Sequence, residues 1–485
     1  MTLTGADLIA LLPLLVMAAG VVAVMLLAAF CRSASPVTAT TLLVLAFAFI
    51  ALPVAAMVGA RPVTPLLIID HYALFYMGLV FAATFAIVIL CHAYFGGATG
   101  RHHTVCILLL LAALGSAVLV ASSHFASFLI GLELLSVSLF ALIAYPHGLE
   151  RALEAGIKYL VLAGISSALL LFGMALVYAR LGTMQFTQIG TLAGAAGGGI
   201  YLDTGVALIL VGIGFKLALV PFHLWTPDVY EGAPAPIAAF VATVSKGAMM
   251  ALLLRYFIVA GGYRSASVML ALTVIAVVSI LAGNLLALLQ DNVKRILAYS
   301  SIAHLGYVMV AFLATGALAV EAVSYYLVAY VVTMLGAFGV ITLLSVGGDG
   351  RDRDALADYR SLFWRQPAIA ATFTVMLLSL AGIPLTMGFV GKFYVVAAGI
   401  GASLWLPVVV LVVGSVIGLY YYLRIIATMC APPPDIMPAR TPVAAAPASV
   451  AGVLTLAGLS LVLVWLGIYP ASLIRLLHAT VVYLI

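Results

Sequence analysis

The residues most able to do chemistry here are five lysines: Lys158, Lys216, Lys246, Lys294 and Lys392. They are the only lysines in 485 residues, and each falls within an apolar run or, for Lys294, at its edge. The other basic residues are arginines, nearly all between such runs or at their ends. The two cations differ in kind. Arginine stays charged almost anywhere, whereas a buried lysine can lose its proton at accessible pH. A charge at the centre of a bilayer costs about 2.5–3.5 kcal/mol on insertion scales. Repeated placement of the one titratable cation in apolar surroundings points to holding and releasing protons. The competing reading is snorkelling, with the ammonium reaching the headgroups. It suits Lys294, beside Asp291 and Arg295, and to a lesser degree Lys158, one turn after Glu154. It suits Lys216, Lys246 and Lys392 poorly, because long apolar stretches flank them.

One acid lies deep in an apolar run: Glu133, in ASFLIGLELLSVSLFALIAY. A lone buried carboxylate is neutral or paired. It reads either as half of a structural ion pair or as a group that tunes a lysine, Lys216 being the expected partner. Two histidines belong with these groups. His223 follows Lys216 by seven residues and shares its helix face if the chain between is not rotated. His304 lies ten residues, about three turns, beyond Lys294. Histidine relays protons near neutral pH, although a single histidine in an apolar helix is more often a satisfied hydrogen bonder.

These groups need helices to position them. The chain is 66% hydrophobic and 7% charged, far from the roughly 25% charged of soluble chains. That composition excludes a soluble enzyme and implies an all-α polytopic membrane protein. The apolar runs divide into about fourteen transmembrane helices: 7–30, 37–59, 71–92, 104–121, 125–145, 154–179, 203–224, 234–258, 266–288, 293–314, 319–345, 367–399, 404–428 and 447–469. The first lacks a basic leader and reads as a retained helix rather than a cleaved signal peptide. The glycine-rich stretch 190–199 reads as a flexible connector, and 347–366 is the longest charged loop. The four cysteines form no CxxC, so neither a cluster nor a structural zinc is suggested. The basic residues form no stripe, which excludes nucleic-acid binding. Ten arginines fall in loops after odd-numbered spans and five in loops after even-numbered ones and at the C-terminal end. The positive-inside rule then places both termini outside the cytoplasm.

Two spans carry breaks. One is GIGFKLALVPFHLWTPDVYEGAPAP around Pro221; the other is SLAGIPLTMGFVGKF around Pro384. Proline removes a backbone donor and clashes with the preceding turn. In hydrocarbon such a break persists only where it lines a hydrated cavity or is buried in protein. The breaks fall in the seventh and twelfth spans. Their odd offset of five makes one five-helix unit inverted relative to the other, a transporter signature. The division is 1–103 (N-terminal helices), 104–258 (first repeat), 266–428 (second, inverted repeat) and 447–485 (C-terminal helix).

The stretches GFKLALVPFHLWTPDVYEGAPAP, NVKRILAYSSIAHLGY and SLAGIPLTMGFVGKFYV resemble the antiporter-like membrane subunits of respiratory complex I, the NADH–quinone oxidoreductase of bacterial inner membranes. The likeness covers nearly the whole chain. It implies fourteen helices in two inverted five-helix units with the seventh and twelfth broken. It also implies a proton relay through Glu133, Lys158, Lys216, Lys246, Lys294, His304 and Lys392, to which the residue reading adds His223. NADH, FMN, iron–sulfur clusters and quinone would then sit in partner subunits, with no cofactor in this chain. The implied partners are the antiporter-like subunit M and the small membrane subunits. Two other readings stand beside this one: a subunit of a multi-subunit sodium/proton antiporter, and a membrane scaffold of a hydrogenase-type complex whose lysines form only structural ion pairs.

Overall fold

The computed structural model describes residues 4–31, 33–95, 101–146, 149–197, 199–346, 352–432 and 449–481. Long apolar runs become helices because lipid offers the backbone no partners, so each amide must bond within its own segment. In chain order these are α1 (Leu12–Phe30), α2 (Ala34–Ala56), α3 (His71–Phe95), α4 (Arg101–Ala121), α5 (Phe125–Ile143), α6 (Glu150–Leu181), α7a (Ile200–Leu217) with α7b (Trp225–Gly232), α8 (Ala235–Val259), α9 (Ala266–Leu288), α10 (Val293–Ala314), α11 (Gly316–Ser345), α12a (Pro367–Ala381) with α12b (Met387–Gly401), α13 (Trp405–Cys430), α14 (Val450–Ile468) and α15 (Ala471–Val481). Thirteen helices among the described residues are long and apolar enough to cross a membrane. The half-helices α12a and α12b together make a fourteenth crossing.

The expected order of helices is present, with local differences. The seventh span ends at Leu217, where Ala218 turns left-handed (φ 59°), and resumes as α7b. The twelfth is two half-helices separated by Gly382 (φ 85°), with the Thr386 side chain capping α12b. The glycine-rich stretch is not a connector: Phe186–Ala196 is a helix. Gly190 permits this, since a Cβ there would lie 2.3 Å from the Val259 carbonyl oxygen. The end of that stretch, residue 198, lies outside the described residues, as do residues 347–351 of the charged loop and Arg32, Arg351 and Arg440 of the arginine tally. The rest of the charged loop holds two short helical turns, Leu356–Tyr359 and Leu362–Arg365.

Burial separates the helices by role. The apolar windows of α8, α10 and α11 are 100%, 94% and 94% buried, whereas that of α14 is 22% buried. The first three therefore form the axis, and they carry Lys246, Lys294 and His304. Packing repeats with an offset of five: α4 on α5 matches α9 on α10, and α4 on α8 matches α9 on α13. A π-helical turn, Val241–Ser245, precedes Lys246 in α8. Such bulges change which residues face the next helix and are frequent at functional sites. No proline or glycine in that turn announces it.

Candidate functional site: a line of buried amines and hydroxyls

Each broken helix leaves backbone groups to satisfy, and side chains satisfy them. Trp225 Nε1 donates to the Phe215 carbonyl at 3.0 Å, and the Val220 amide donates to Ser279 Oγ at 2.9 Å. At the second break, Gly388 N donates to Ser379 Oγ at 3.1 Å, and Lys392 Nζ donates to the Ala381 carbonyl at 2.8 Å. Ala381 is the last residue of α12a. An ammonium at a helix C-terminus meets the negative end of the dipole. Lys216 occupies the same electrostatic position, one residue from the end of α7a.

From Lys216 the polar groups run through the axis. Lys216 Nζ donates to Ser136 Oγ at 2.7 Å and lies 5.4 Å from the Tyr159 ring centroid. The expected pairing with Glu133 is not formed: among the described residues no carboxylate oxygen lies within 4.0 Å of Lys216, and Glu133 Oε1 is buried without a hydrogen-bond partner. Ser136, one turn after Glu133, stands between them in role. Trp225 packs against both Tyr159 and Phe215 at 4.9 and 5.5 Å, and its ring also lies 6.0 Å from Lys246 Nζ. One indole thus adjoins the surroundings of both amines. Lys246 donates to Ser301 Oγ at 2.7 Å, and Ser301 also bonds the hydroxyls of Tyr330 (2.6 Å) and Tyr230 (3.3 Å).

His304 lies one turn further along α10. Its Nδ1 bonds Tyr326 at 2.8 Å and its Nε2 bonds Tyr422 at 3.1 Å, and Tyr422 also bonds Ser300. A neutral imidazole donates from one nitrogen and accepts at the other, so this ring joins two hydroxyls through either tautomer. Lys392 Nζ lies 5.3 Å from the Tyr307 ring, whose hydroxyl accepts from Asn284 Nδ2 at 2.9 Å.

Lys294 and Lys158 differ from these amines. Lys294 does not snorkel: it is 1% exposed and donates to Asp352 at 2.6 Å and to the carbonyls of Glu231 and Ala233, both at 2.7 Å. Three donors meet three acceptors, so its coordination is complete. Among the described residues, Lys216, Lys246 and Lys392 have one hydrogen-bond acceptor each. Lys158 lies off the buried line. Its side chain is 42% exposed and is held between Glu154 and Asp228, both at 2.7 Å. Asp228 also pairs with Arg295 at 2.9 Å, tying α6, α7b and α10 together. His223 lies buried in the break of the seventh helix, its Nδ1 without a partner.

Sequence reading found the amines and the imidazoles but not the hydroxyls between them. Ser136, Ser301, Tyr330, Tyr326 and Tyr422 look like ordinary helix residues; only the run of three tyrosines at 420–422 in an apolar helix marks a polar lining. Trp225, Asp228 and Asp352 were also given no role.

This architecture is that of an antiporter-like membrane subunit, and the comparisons agree. The family described as NADH:quinone oxidoreductase/Mrp antiporter, transmembrane, matches residues 122–418. The chain belongs to that family. It is 61% identical over 485 residues to NADH-quinone oxidoreductase subunit N of Nitrosospira multiformis, with 97% of this chain and 96% of the relative covered. A chain of respiratory complex I from Thermus thermophilus superposes with a TM-score of 0.81 at 32% identity, covering 96% of this chain and all of that one. A chain of the Mrp complex from Dietzia sp. shares the fold, with a TM-score of 0.85 at 20% identity, covering 100% of this chain and 98% of that one.

Proposed function

We propose that the chain serves as subunit N of an NADH–quinone oxidoreductase and carries protons across the membrane while partner subunits perform the redox chemistry. The observation that carries this reading is the set of three buried, singly coordinated amines, Lys216, Lys246 and Lys392, on helices joined by hydroxyls and the His304 imidazole. An ammonium with few protein partners exchanges a proton more readily than one fully coordinated, because fewer hydrogen bonds are lost with the charge. In this reading Glu133 tunes Lys216 through space, Lys158 holds the face where α6, α7b and α10 meet, Lys294 exchanges its proton when its one carboxylate acceptor is neutralised, and His223 serves the first break.

The repeat units run over 104–258 and 266–428, flanked by helices within 1–103 and 447–485. The face with the loops after odd-numbered helices is cytoplasmic, both termini lie on the outer side of the inner membrane, and subunit M and the small membrane subunits are the neighbours. NADH, FMN, iron–sulfur clusters and quinone belong to the complex rather than to this chain.

The test is NADH-driven proton pumping in membrane vesicles holding the assembled complex with Lys216→Ala or Lys246→Ala. Either change is expected to lower pumping about a hundredfold, the lower end of what a positioned proton-transfer group contributes. Full pumping by both variants overturns the relay. Transport that follows sodium instead of protons transfers the chain to the antiporter reading.

A further inference from the structure

An unassigned cavity of about 590 Å³ opens on the odd-loop face, where Glu150 and Arg151 are exposed. Its walls hold Glu150, Glu231, Asp352 and Asp354, with Arg151 and Tyr94. Four carboxylates and one cation make an acidic space. A water molecule needs about 30 Å³ of liquid volume, so the space takes a connected group of them. At its inner wall Asp352 is bound on two sides, by Lys294 at 2.6 Å and by the Tyr94 hydroxyl at 2.8 Å. Asp354, two residues on, accepts from Asn292 Nδ2 at 2.7 Å, and its carbonyl accepts from Val293 N at 2.7 Å. The loop is thereby pinned to the start of α10, and its carboxylates stay at the mouth of that helix.

We propose that this vestibule is the proton-uptake port of the chain, with Asp354 collecting protons from water and Asp352 passing them to Lys294. The inference rests on the relay reading and extends it to the aqueous phase. A proton arriving on Asp352 turns carboxylate into carboxylic acid and removes the ionic acceptor of Lys294. Lys294 can then give its own proton inward and take the one held by Asp352, so that one proton enters and every group returns to its starting state. Ser301 lies seven residues along the same face of α10, about 10 Å away by helix rise. Tyr230, which bonds Ser301, adjoins Glu231, whose carbonyl holds Lys294. The surroundings of Asp354 fit collection. Burial raises its carboxyl above the ordinary aspartate value, Asn292 and Lys294 lower it, and Asp352 and Glu231 raise it again. Its affinity for a proton lies above that of a solvated aspartate.

The experiment compares Asp354→Asn, Asp354→Glu and Asp352→Asn in the assembled complex in vesicles, reading initial pumping rate across a neutral-to-alkaline pH series. NADH oxidation with a hydrophilic artificial acceptor counts assembled complexes. The proposal expects Asp354→Asn to pump about tenfold more slowly per complex at the alkaline end, since free protons fall tenfold per pH unit. The deficit shrinks toward neutral pH, and Asp354→Glu restores most of the rate. Wild-type pumping by Asp354→Asn at every pH overturns the port, as does a deficit independent of pH that glutamate does not relieve. Asp352→Asn is expected to pump less per assembled complex; if it does not assemble, the two Asp354 variants still decide. Failure here with Lys246→Ala still impaired removes the port and leaves the relay; full pumping by both Lys216→Ala and Lys246→Ala removes the relay itself.

Discussion

At the scale of single residues, hydroxyls decide whether the amines form a line. Tyr422 bonds both Ser300 and His304, so among the described residues it joins the imidazole to the next polar group toward the odd-loop face. Tyr422→Phe keeps the ring and removes the junction. It is expected to lower pumping about tenfold, equivalent to about 1.4 kcal/mol and within the worth of one buried hydrogen bond, while the amount of assembled complex stays near normal. Pumping per complex against the artificial-acceptor rate checks this, and equal rates would remove Tyr422 from the line. The amines were legible in the sequence because a lysine in hydrocarbon contradicts its surroundings. The hydroxyls were not, because serine and tyrosine are tolerated in any helix and only the fold shows which of them meet. Glu133 shows the same limit: its depth was readable, but Ser136 as the acceptor of Lys216 was not.

At the scale of elements, the breaks and the bulge set the positions. The prolines announced both breaks, since proline cannot continue a helix. They did not announce where each half resumes, because that depends on contacts such as Gly388 against Ser379. A Cβ on Gly388 would lie 1.9 Å from the Ser379 carbonyl oxygen, so only glycine lets α12a and α12b approach. Gly388→Val is expected to cost about 1–3 kcal/mol by overpacking and to lower the yield of assembled complex, measured by native gel; normal assembly with normal pumping would show that the joint tolerates separation. The π-turn of α8 was invisible, because Val241–Ser245 carries no helix-breaking residue and the turn's neighbours, α3, α4 and α11, are distant in sequence. The helix at Phe186–Ala196 was misread for the opposite reason. Its glycines suggested freedom where Gly190 serves close packing.

At the scale of the molecule, the N-terminal helices and the axis are joined by a buried ion pair whose arginine follows Lys246 by nine residues on α8. Arg255 on α8 donates twice to Asp70, which precedes α3, at 2.7 and 2.8 Å, and its guanidinium lies 4.8 Å from the Tyr72 ring. Both side chains are almost fully buried. Removing one partner strands the other, so Arg255→Ala is expected to cost about 3–5 kcal/mol. Replacing Asp70 and Arg255 together by apolar residues is expected to cost less. Thermal inactivation of the purified complex compares the two, and equal losses would show that the pair acts only through packing. Fold class and helix order were readable because length and hydropathy alone fix them. Cross-molecule ties such as this were not, since nothing local links positions 70 and 255. The joint in the twelfth helix leads further. A neutral amine donates a weaker hydrogen bond than an ammonium, and the amine of Lys392 is what closes the open end of α12a. A discharge of that group would therefore slacken a severed rod as well as empty a site, coupling the electrical state of the chain to the stiffness of its backbone.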